Sequence, residues 1–180
     1  MAKKILIISS SLRAHSNSDA LADEFMRGAA EAGNKVEKIS LAGKKIAFCK
    51  GCMACQKLKH CAIQDDANEI TKKMLHADVI VFATPVYYFS MSGQLKTLLD
   101  RSNSLYSSDY AFREVYLLAT AAEDYPAAMN GTVKGIQGWI DCFDKVKLCG
   151  TVRGCGVNDA GTIHDNPRAL KKAYAMGKEA

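Results

Sequence analysis

The sequence predicts an α/β domain in which a parallel β-sheet carries helices on both of its faces. Short apolar runs without polar alternation recur along the chain, and such runs are typical of strands that are buried on both faces. Segments with apolar residues three or four positions apart separate these runs and indicate amphipathic helices. Strands that alternate with helices in this way form parallel sheets. With 180 residues, 48% of them hydrophobic, the chain is long enough for one domain with a complete core.

The elements are predicted in a regular order along the chain. The first strand reads KKILIIS (residues 3–9) and the third reads DVIVFAT (residues 78–84), and both are apolar on both faces. The remaining strands are predicted at residues 36–40, 115–120 and 146–152. Helices are predicted at residues 18–32, from a cap at Asp65 or Asp66 to 76, at 92–105, at 127–143 and from near 165 onward. This set fits a flavodoxin-like doubly wound five-stranded parallel sheet of order 2-1-3-4-5, in a single domain over residues 1–180.

One segment, residues 41–64, interrupts the alternation of strand and helix. Connections between a strand and a helix usually take about 2–6 residues, and this one is several times longer. A long insert inside a compact domain is usually functional, and this one contains four of the seven cysteines of the chain.

Composition and charge narrow the functional classes. The formal net charge of +5 suits anionic small molecules such as phosphates, but no run of Lys and Arg is dense enough for a nucleic-acid groove. No apolar stretch approaches the roughly 20 residues that cross a bilayer, and the apolar run after Lys4 is too short for a signal peptide. Seven cysteines without such a signal indicate a reducing compartment. A cytoplasmic protein with neither nucleic-acid nor membrane partners is therefore expected.

The first candidate binding loop joins the first strand to the first helix. In doubly wound sheets, ligands bind beyond the carboxyl ends of the strands, where this loop is predicted to lie. Ser11, Ser16, Asn17 and Ser18 offer hydroxyl and amide donors, and Arg13 adds charge, at the start of a helix whose free N–H groups favour an anion. This predicts a phosphate site, although an ordinary Ser/Asn-rich turn that caps a helix has the same composition. The loop matches neither GxGxxG nor Walker A.

Two further loops are predicted at the same edge of the sheet. The loop after the third strand reads TPVYYFSMS and contains three adjacent aromatic residues, which a planar ring system would cover. An aromatic plug under the next helix, or a contact between subunits, is the alternative. The loop after the fourth strand begins with the small residues Thr120, Ala121 and Ala122, which let the backbone approach a ligand.

Several segments together resemble one family. SSSLRAHSNS, followed by a helix, resembles the phosphate loop of the NADPH-dependent FMN reductase family, which usually reads Gly-Ser-Pro-Arg with Gly-Asn-Thr or Gly-Asn-Ser shortly after. TPVYYFSMSGQLKTLLDR resembles the second flavin loop of that family and its following helix. CKGCMAC, then Cys61 and Asp65-Asp66, resembles the iron–sulfur flavoprotein branch. With NPRALKKAYAMGK as the last helix, the resemblance covers nearly the whole chain.

The resemblance implies a bound FMN. Its phosphate contacts would be Ser11, Arg13, Ser16, Asn17 and Ser18. Its isoalloxazine contacts would be Pro85, Val86, Tyr87, Tyr88, Phe89, Thr120, Ala121 and Ala122. The chain departs from the family where Ser10 and Leu12 replace the usual Gly and Pro, and where Ser16 replaces a Gly. The family pattern therefore does not determine the backbone conformation of the first loop, and the extra hydroxyl at Ser16 could contact phosphate or merely be tolerated.

The cysteine spacing is Cys49-x2-Cys52-x2-Cys55-x5-Cys61. Structural zinc usually pairs two well-separated cysteine hairpins, whereas nested CxxCxxC spacing is the way ferredoxins wrap a cubane. Together with the resemblance, this spacing predicts a [4Fe–4S] cluster at the four residues. Two alternatives stay open. The loop could serve as an oligomer contact or cover the flavin, or Cys49, Cys52 and Cys55 could contain a thiol/disulfide pair, since nearby lysines favour thiolates. His15 and His60 flank the site and are assigned no role.

The function that these observations and the resemblance imply is an FMN-dependent oxidoreductase. It would pass electrons from NAD(P)H or a ferredoxin-like donor to a small acceptor such as a quinone or flavin, and the cofactor would carry the chemistry without a catalytic side chain. A flavodoxin-like electron carrier is the alternative, although flavodoxins are generally acidic and the sequence pI here is about 8.8. A flavodoxin-fold binding protein is the other alternative. The family resemblance also implies a homodimer or homotetramer.

Overall fold

A computed structural model describes residues 2–180, and only Met1, the first residue of the predicted domain, lies outside it. The parallel strands of the sheet are β1 (Lys4–Ser9), β2 (Lys35–Ser40), β3 (Val79–Tyr87), β5 (Glu114–Thr120) and β6 (Lys147–Gly154). They lie in the order β2-β1-β3-β5-β6. A two-residue strand, β4 (Ser90–Met91), pairs antiparallel with the end of β3. The flavodoxin-like order of the five parallel strands predicted from the sequence is confirmed, and β4 is an addition to it.

Helices cover both faces of the sheet, because the side chains of each central strand alternate between two cores. Ile5 and Ile7 of β1 pack on one side, and Leu6 and Ile8 pack on the other. The helices are α1 (Asn17–Glu31), α2 (Ala54–Leu58), α3 (Asp66–His76), α4 (Gly93–Arg101), α5 (Asn130–Ile140) and α6 (Pro167–Glu179). Helices α1 and α6 share the first core, and α3, α4 and α5 share the second.

The contact between α1 and α6 is close enough to require glycine on both helices. A Cβ on Gly28 would lie 2.1 Å from the carbonyl oxygen of Tyr174, and one on Gly177 would lie 2.0 Å from that of Phe25. These two glycines therefore fix the spacing of the pair, which closes the face of the sheet behind the first loop.

The structure shortens two predicted helices. The helix predicted at residues 92–105 ends at Arg101, and a 3-10 turn (Ser102–Ser104) continues it. The helix predicted at residues 127–143 begins only at Asn130, after a 3-10 turn (Pro126–Met129). Within residues 2–180, no helix has both the length and the apolar character that crossing a bilayer requires.

Candidate functional site

A cavity of about 390 Å³ opens at the carboxyl edge of the sheet, where the loops after β1, β3 and β5 meet. Twelve of the thirteen predicted flavin-binding residues line it. They are Ser11, Arg13, Ser16, Asn17, Ser18, Pro85, Val86, Tyr87, Tyr88, Phe89, Thr120 and Ala122. Ala121 is the exception. It is buried; its N–H donates to the carbonyl of Gly154 at 2.9 Å, and its carbonyl accepts from the N–H of Val157 at 2.9 Å.

The amino end of α1 faces this cavity. Ser16 caps the helix by accepting the N–H of Asp19 at 3.1 Å, and the N–H groups of Asn17 and Ser18 belong to the first turn, which lacks intrahelical partners. The hydroxyl of Ser18 is buried and, among the atoms of residues 2–180, has no hydrogen-bond partner. A buried hydroxyl beside free N–H groups and the positive end of the helix dipole is an incomplete anion site.

The side chain of Asn17, predicted as a phosphate contact, holds another loop in place. Its amide nitrogen donates to the carbonyls of Asp159 at 2.8 Å and Val157 at 3.3 Å, and its oxygen accepts the N–H of Ile163 at 3.0 Å. The amide is thereby occupied, so Asn17 can offer the cavity its main-chain N–H. Arg13 makes a similar link, because its guanidinium donates to the carbonyl of Asn158 at 2.6 Å.

The aromatic residues form a hairpin at the mouth of the cavity. Strands β3 and β4 pair Val86 with Met91 and Tyr87 with Ser90, which leaves Tyr88 and Phe89 as the two turn residues. Their φ angles are 49° and 61°, the left-handed conformation at both positions that a type I′ turn requires. Bulky residues rarely adopt this conformation, and it costs about 1–3 kcal/mol each, a strain typical of functional sites. Tyr88 is fully exposed at the tip.

Helix α5 supports this hairpin at one glycine. A Cβ on Gly131 would lie 2.3 Å from the carbonyl oxygen of Phe89, so only glycine allows the hairpin to rest on the first turn of α5. The position of the aromatic side chains over the cavity therefore depends on a backbone contact.

Sequence reasoning missed part of the wall of the cavity. Glu123, Val157 and Asn158 also line it. Val157 and Asn158 follow β6, whose carboxyl end lies at the same edge of the sheet as those of β1, β3 and β5. The position of a loop after the last predicted strand was the signal that could have identified them.

The predicted metal ligands lie together in a second place. Cys49, Cys52, Cys55 and Cys61 are free thiols and line a small cavity of about 30 Å³ beside the end of α4. Within residues 2–180, no three His, Cys, Asp or Glu side chains converge as a single metal ion requires. A cubane spreads four thiolates over four irons, so its ligands surround a volume. The four thiols that line this one cavity supply the complete set of sulfur ligands that a cubane takes.

A buried arginine, which the sequence analysis did not identify, anchors the loop that carries the cysteines. The side chain of Arg101 is fully buried, and its two terminal nitrogens donate to the carboxylate of Asp65 at 2.7 and 2.9 Å. They also donate to the carbonyls of Ala47 at 2.7 Å and Ile63 at 3.0 Å, one on each side of the cysteines. Its Nε donates to the sulfur of Cys61 at 3.2 Å. One lone charge on the apolar face of α4 was the sequence signal for this role.

Hydrogen bonds to Asp65 determine its charge state. Burial alone would raise the pKa of this carboxyl, but the hydrogen bonds from Arg101 and from the N–H groups of Ala47 and Ala67 outweigh burial and lower the pKa. Burial likewise opposes the charge on Arg101, and its bonds to Asp65 and Cys61 raise its pKa. Both partners are therefore charged in the folded chain.

The base of the cysteine loop is closed by pairing between its two ends. The N–H of Asp66 donates to the carbonyl of Lys45 at 3.2 Å, and the N–H of Lys45 donates to the Asp66 carboxylate at 2.6 Å. The N–H of Ala47 donates to Asp65 at 2.9 Å. Residues 46–65 are thus an excursion whose two ends lie side by side.

Comparisons with known proteins agree with this geometry. The family model described as NADPH-dependent FMN reductase matches residues 3–133. An iron-sulfur flavoprotein of Methanocaldococcus jannaschii is 44% identical over 102 residues, which are 57% of this chain and 53% of that protein. An iron-sulfur flavoprotein of Methanosarcina thermophila is 33% identical over 141 residues, 76% of this chain and 72% of that protein. The alignment thus spans about half the length of the first relative.

The solved structures agree at the level of the fold. The NAD(P)H:quinone oxidoreductase from Methanothermobacter marburgensis superimposes with a TM-score of 0.76 at 15% identity, covering 99% of this chain and 96% of that one. At this identity the likeness shows the flavodoxin-like fold alone.

Proposed function

The chain belongs to the NADPH-dependent FMN reductase family, and on this premise we propose that it is an FMN-dependent oxidoreductase. It passes electrons from NAD(P)H, or from a ferredoxin-like protein, to a small acceptor such as a quinone or flavin. The observation that carries the proposal is at the amino end of α1, where Ser18 lines the cavity and its buried hydroxyl lacks a partner within residues 2–180. A phosphate monoester supplies the acceptors that this hydroxyl and the adjacent N–H groups lack.

The chain contributes binding and orientation, and FMN, when bound, supplies hydride and electron transfer. Ser11, Ser18 and the N–H groups of the first turn of α1 bind the phosphate, and the guanidinium of Arg13 adds positive charge beside it. The hairpin from Pro85 to Phe89 and the small residues Thr120 and Ala122 enclose the ring system. The aromatic hairpin excludes water from one side of the ring.

The test compares two buried hydroxyls that both lack a partner within residues 2–180. Ser18→Ala removes the hydroxyl of a residue that lines the cavity, and we expect FMN to bind about ten- to a hundredfold more weakly, since a hydrogen bond to a charged group contributes about 1.5–3 kcal/mol. Ser9→Ala removes the other hydroxyl, which lies outside the cavity lining, and should leave the FMN dissociation constant unchanged. The measurement is quenching of flavin fluorescence on titration with apo-protein. Equal affinities in the two variants, or a wild-type chain that does not bind FMN, would overturn the proposal.

We also propose that the four cysteines hold a [4Fe–4S] cluster that adds one-electron steps beside the flavin. Support comes from the nested spacing, from the placement of all four thiols around one cavity, and from the names of the relatives. An anaerobic ultraviolet–visible spectrum with iron and acid-labile sulfide measured on the same sample tests it. About four irons per chain would support a cubane, and flavin bands without iron would leave an FMN reductase whose cysteines have another role.

Steady oxidation of NAD(P)H with a quinone or free flavin separates this function from that of a flavodoxin-like electron carrier.

We further propose that the chain assembles as a homodimer or homotetramer through the exposed apolar side chains around the cavity. These side chains are Leu12, Tyr87, Tyr88 and Phe89, each more than half exposed. Light scattering on the eluting protein measures the mass, and a monomer would contradict this part of the proposal.

A further inference from the structure

Three of the four sulfurs of the cysteine loop accept hydrogen bonds from nearby N–H groups. Besides Nε of Arg101 at 3.2 Å from Cys61, the side-chain amide of Asn103 donates to the sulfur of Cys55 at 3.3 Å. The N–H of Gly51 donates to the sulfur of Cys49 at 3.4 Å. A neutral thiol is only a weak acceptor, whereas a sulfur that carries negative charge forms stronger, charge-assisted hydrogen bonds. This arrangement of donors suits thiolate ligands.

The donor from Arg101 is fixed in direction. The two terminal nitrogens of its guanidinium are held by the Asp65 carboxylate and by the carbonyls of Ala47 and Ile63. Because the group is planar, these contacts determine where Nε points, and it points at Cys61. The Arg101 side chain is fully buried, and the Cys61 sulfur that it contacts is partly buried.

The donor from Asn103 has a similar setting in the 3-10 turn that follows α4. The preceding residue, Ser102, is buried; its hydroxyl donates to the carbonyl of Leu99 at 2.7 Å and accepts from the indole of Trp139 at 3.0 Å. This turn is therefore part of the core, and it presents the Asn103 amide to the loop from a rigid position. Arg101 and Asn103 reach the two partly buried sulfurs, and the exposed thiols of Cys49 and Cys52 lie on the outer side.

We propose that Arg101 and Asn103 are positioning residues that raise the reduction potential of the cluster held by this loop. The inference rests on the proposed iron–sulfur function. One-electron reduction of a cubane adds one negative charge that the inorganic and cysteine sulfurs share, and N–H groups directed at those sulfurs stabilise the reduced state more than the oxidised state. The electron comes from the reduced flavin or from the donor protein of the proposed reaction, and no proton transfer is required.

The experiment measures the midpoint potential of the cluster by anaerobic titration, followed by electron paramagnetic resonance, in the full-length reconstituted protein. Asn103→Ala removes one donor without changing the net charge. We expect its reduction equilibrium to shift about tenfold toward the oxidised state, which corresponds to about 59 mV for one electron. The matched control is Ser107→Ala, because Ser107 contacts the loop at the carbonyl of Gln56, at 3.5 Å, and not at a sulfur. The control should keep the wild-type potential.

A second variant tests the role of Arg101. Arg101→Lys keeps a positive charge for Asp65 but removes the planar group that directs Nε, and its potential should also fall. If Arg101→Lys fails to fold, the potential of Asn103→Ala still tests whether donors to the cysteine sulfurs raise the reduction potential. Wild-type potentials in Asn103→Ala at full iron content would overturn the inference and leave the proposed function standing. Wild-type protein that binds FMN but no iron after reconstitution would remove the cluster, and this inference with it, while the FMN reductase function remains.

Discussion

The flavin cavity and the cysteine loop are held in place by different means. The cavity lies at the ends of β1, β3 and β5, and its anion site is built from the first turn of α1, so the sheet and a main helix fix its geometry. The cysteine loop lies outside the core, and every residue of its short helix α2 is at least partly exposed. Its position depends on Arg101. One site thus takes its geometry from the fold, and the other takes it from side-chain contacts, with buried Arg101 at their centre.

The largest expected effect comes from breaking the ion pair between Arg101 and Asp65. Asp65→Ala leaves the Arg101 guanidinium buried without its counter-ion and should lower the free energy of unfolding by about 3–5 kcal/mol. Because the cavity does not depend on this pair, the FMN dissociation constant should stay near the wild-type value. Urea denaturation and flavin titration measure the two quantities. The matched control is Asp100→Ala, which removes an exposed ion pair with Lys96 at 2.6 Å and should cost less than about 1 kcal/mol. Equal loss of stability and flavin affinity in Asp65→Ala would contradict the separation of the two sites.

The second prediction concerns a substitution that changes the flavin cavity and leaves the cysteine loop unaffected. Gly131→Ala places a methyl group 2.3 Å from the carbonyl oxygen of Phe89, so the aromatic hairpin must move. Such overpacking costs about 1–3 kcal/mol, and we expect FMN to bind about tenfold more weakly. Gly138→Ala, on the same helix, meets nothing within 4 Å among residues 2–180 and should stabilise the chain by about 0.4–1 kcal/mol. Iron content should be the same in both variants. An unchanged FMN affinity in Gly131→Ala would show that the hairpin does not shape the site.

The smallest expected effect is the dependence on pH of the stability that Asp65 contributes. Hydrogen bonds lower the folded pKa of Asp65, and the unfolded value is about 3.9. A lowered folded pKa gives stability that is fully present above the unfolded pKa and is lost as pH falls through the folded pKa. The difference in unfolding free energy between the wild type and Asp65→Ala should therefore be constant above about pH 5 and shrink below about pH 4. Urea titrations from pH 7 to pH 3 test this, and a constant difference throughout would contradict it.

The contrast between the two sites also explains how much could be predicted from the sequence. Apolar runs determine buried strands, strand ends determine where loops meet, and so twelve of the residues around the cavity could be predicted. The role of Asn17 could not, because its partners at Val157, Asp159 and Ile163 lie about 140 residues away in the chain. The ion pair between Arg101 and Asp65 could not be predicted either, because the two residues are 36 positions apart in the chain. The hairpin turn at Tyr88 was missed because it lacks the glycine or asparagine that usually marks such turns.

Residues 46–65 leave and rejoin the domain at nearly the same point, and this has a thermodynamic consequence. The entropy lost on closing a flexible loop grows slowly, by about 0.6 kcal/mol for each doubling of its length. Extending a five-residue connection fourfold therefore costs only about 1.2 kcal/mol. The register of β2 is set by its own pairing with β1, and the base of the excursion is tied at Lys45 and Asp66, so β2 does not depend on what the excursion contains. A domain of this architecture can thus gain or lose such a segment at small cost in stability, provided that the buried charge at Arg101 changes with it.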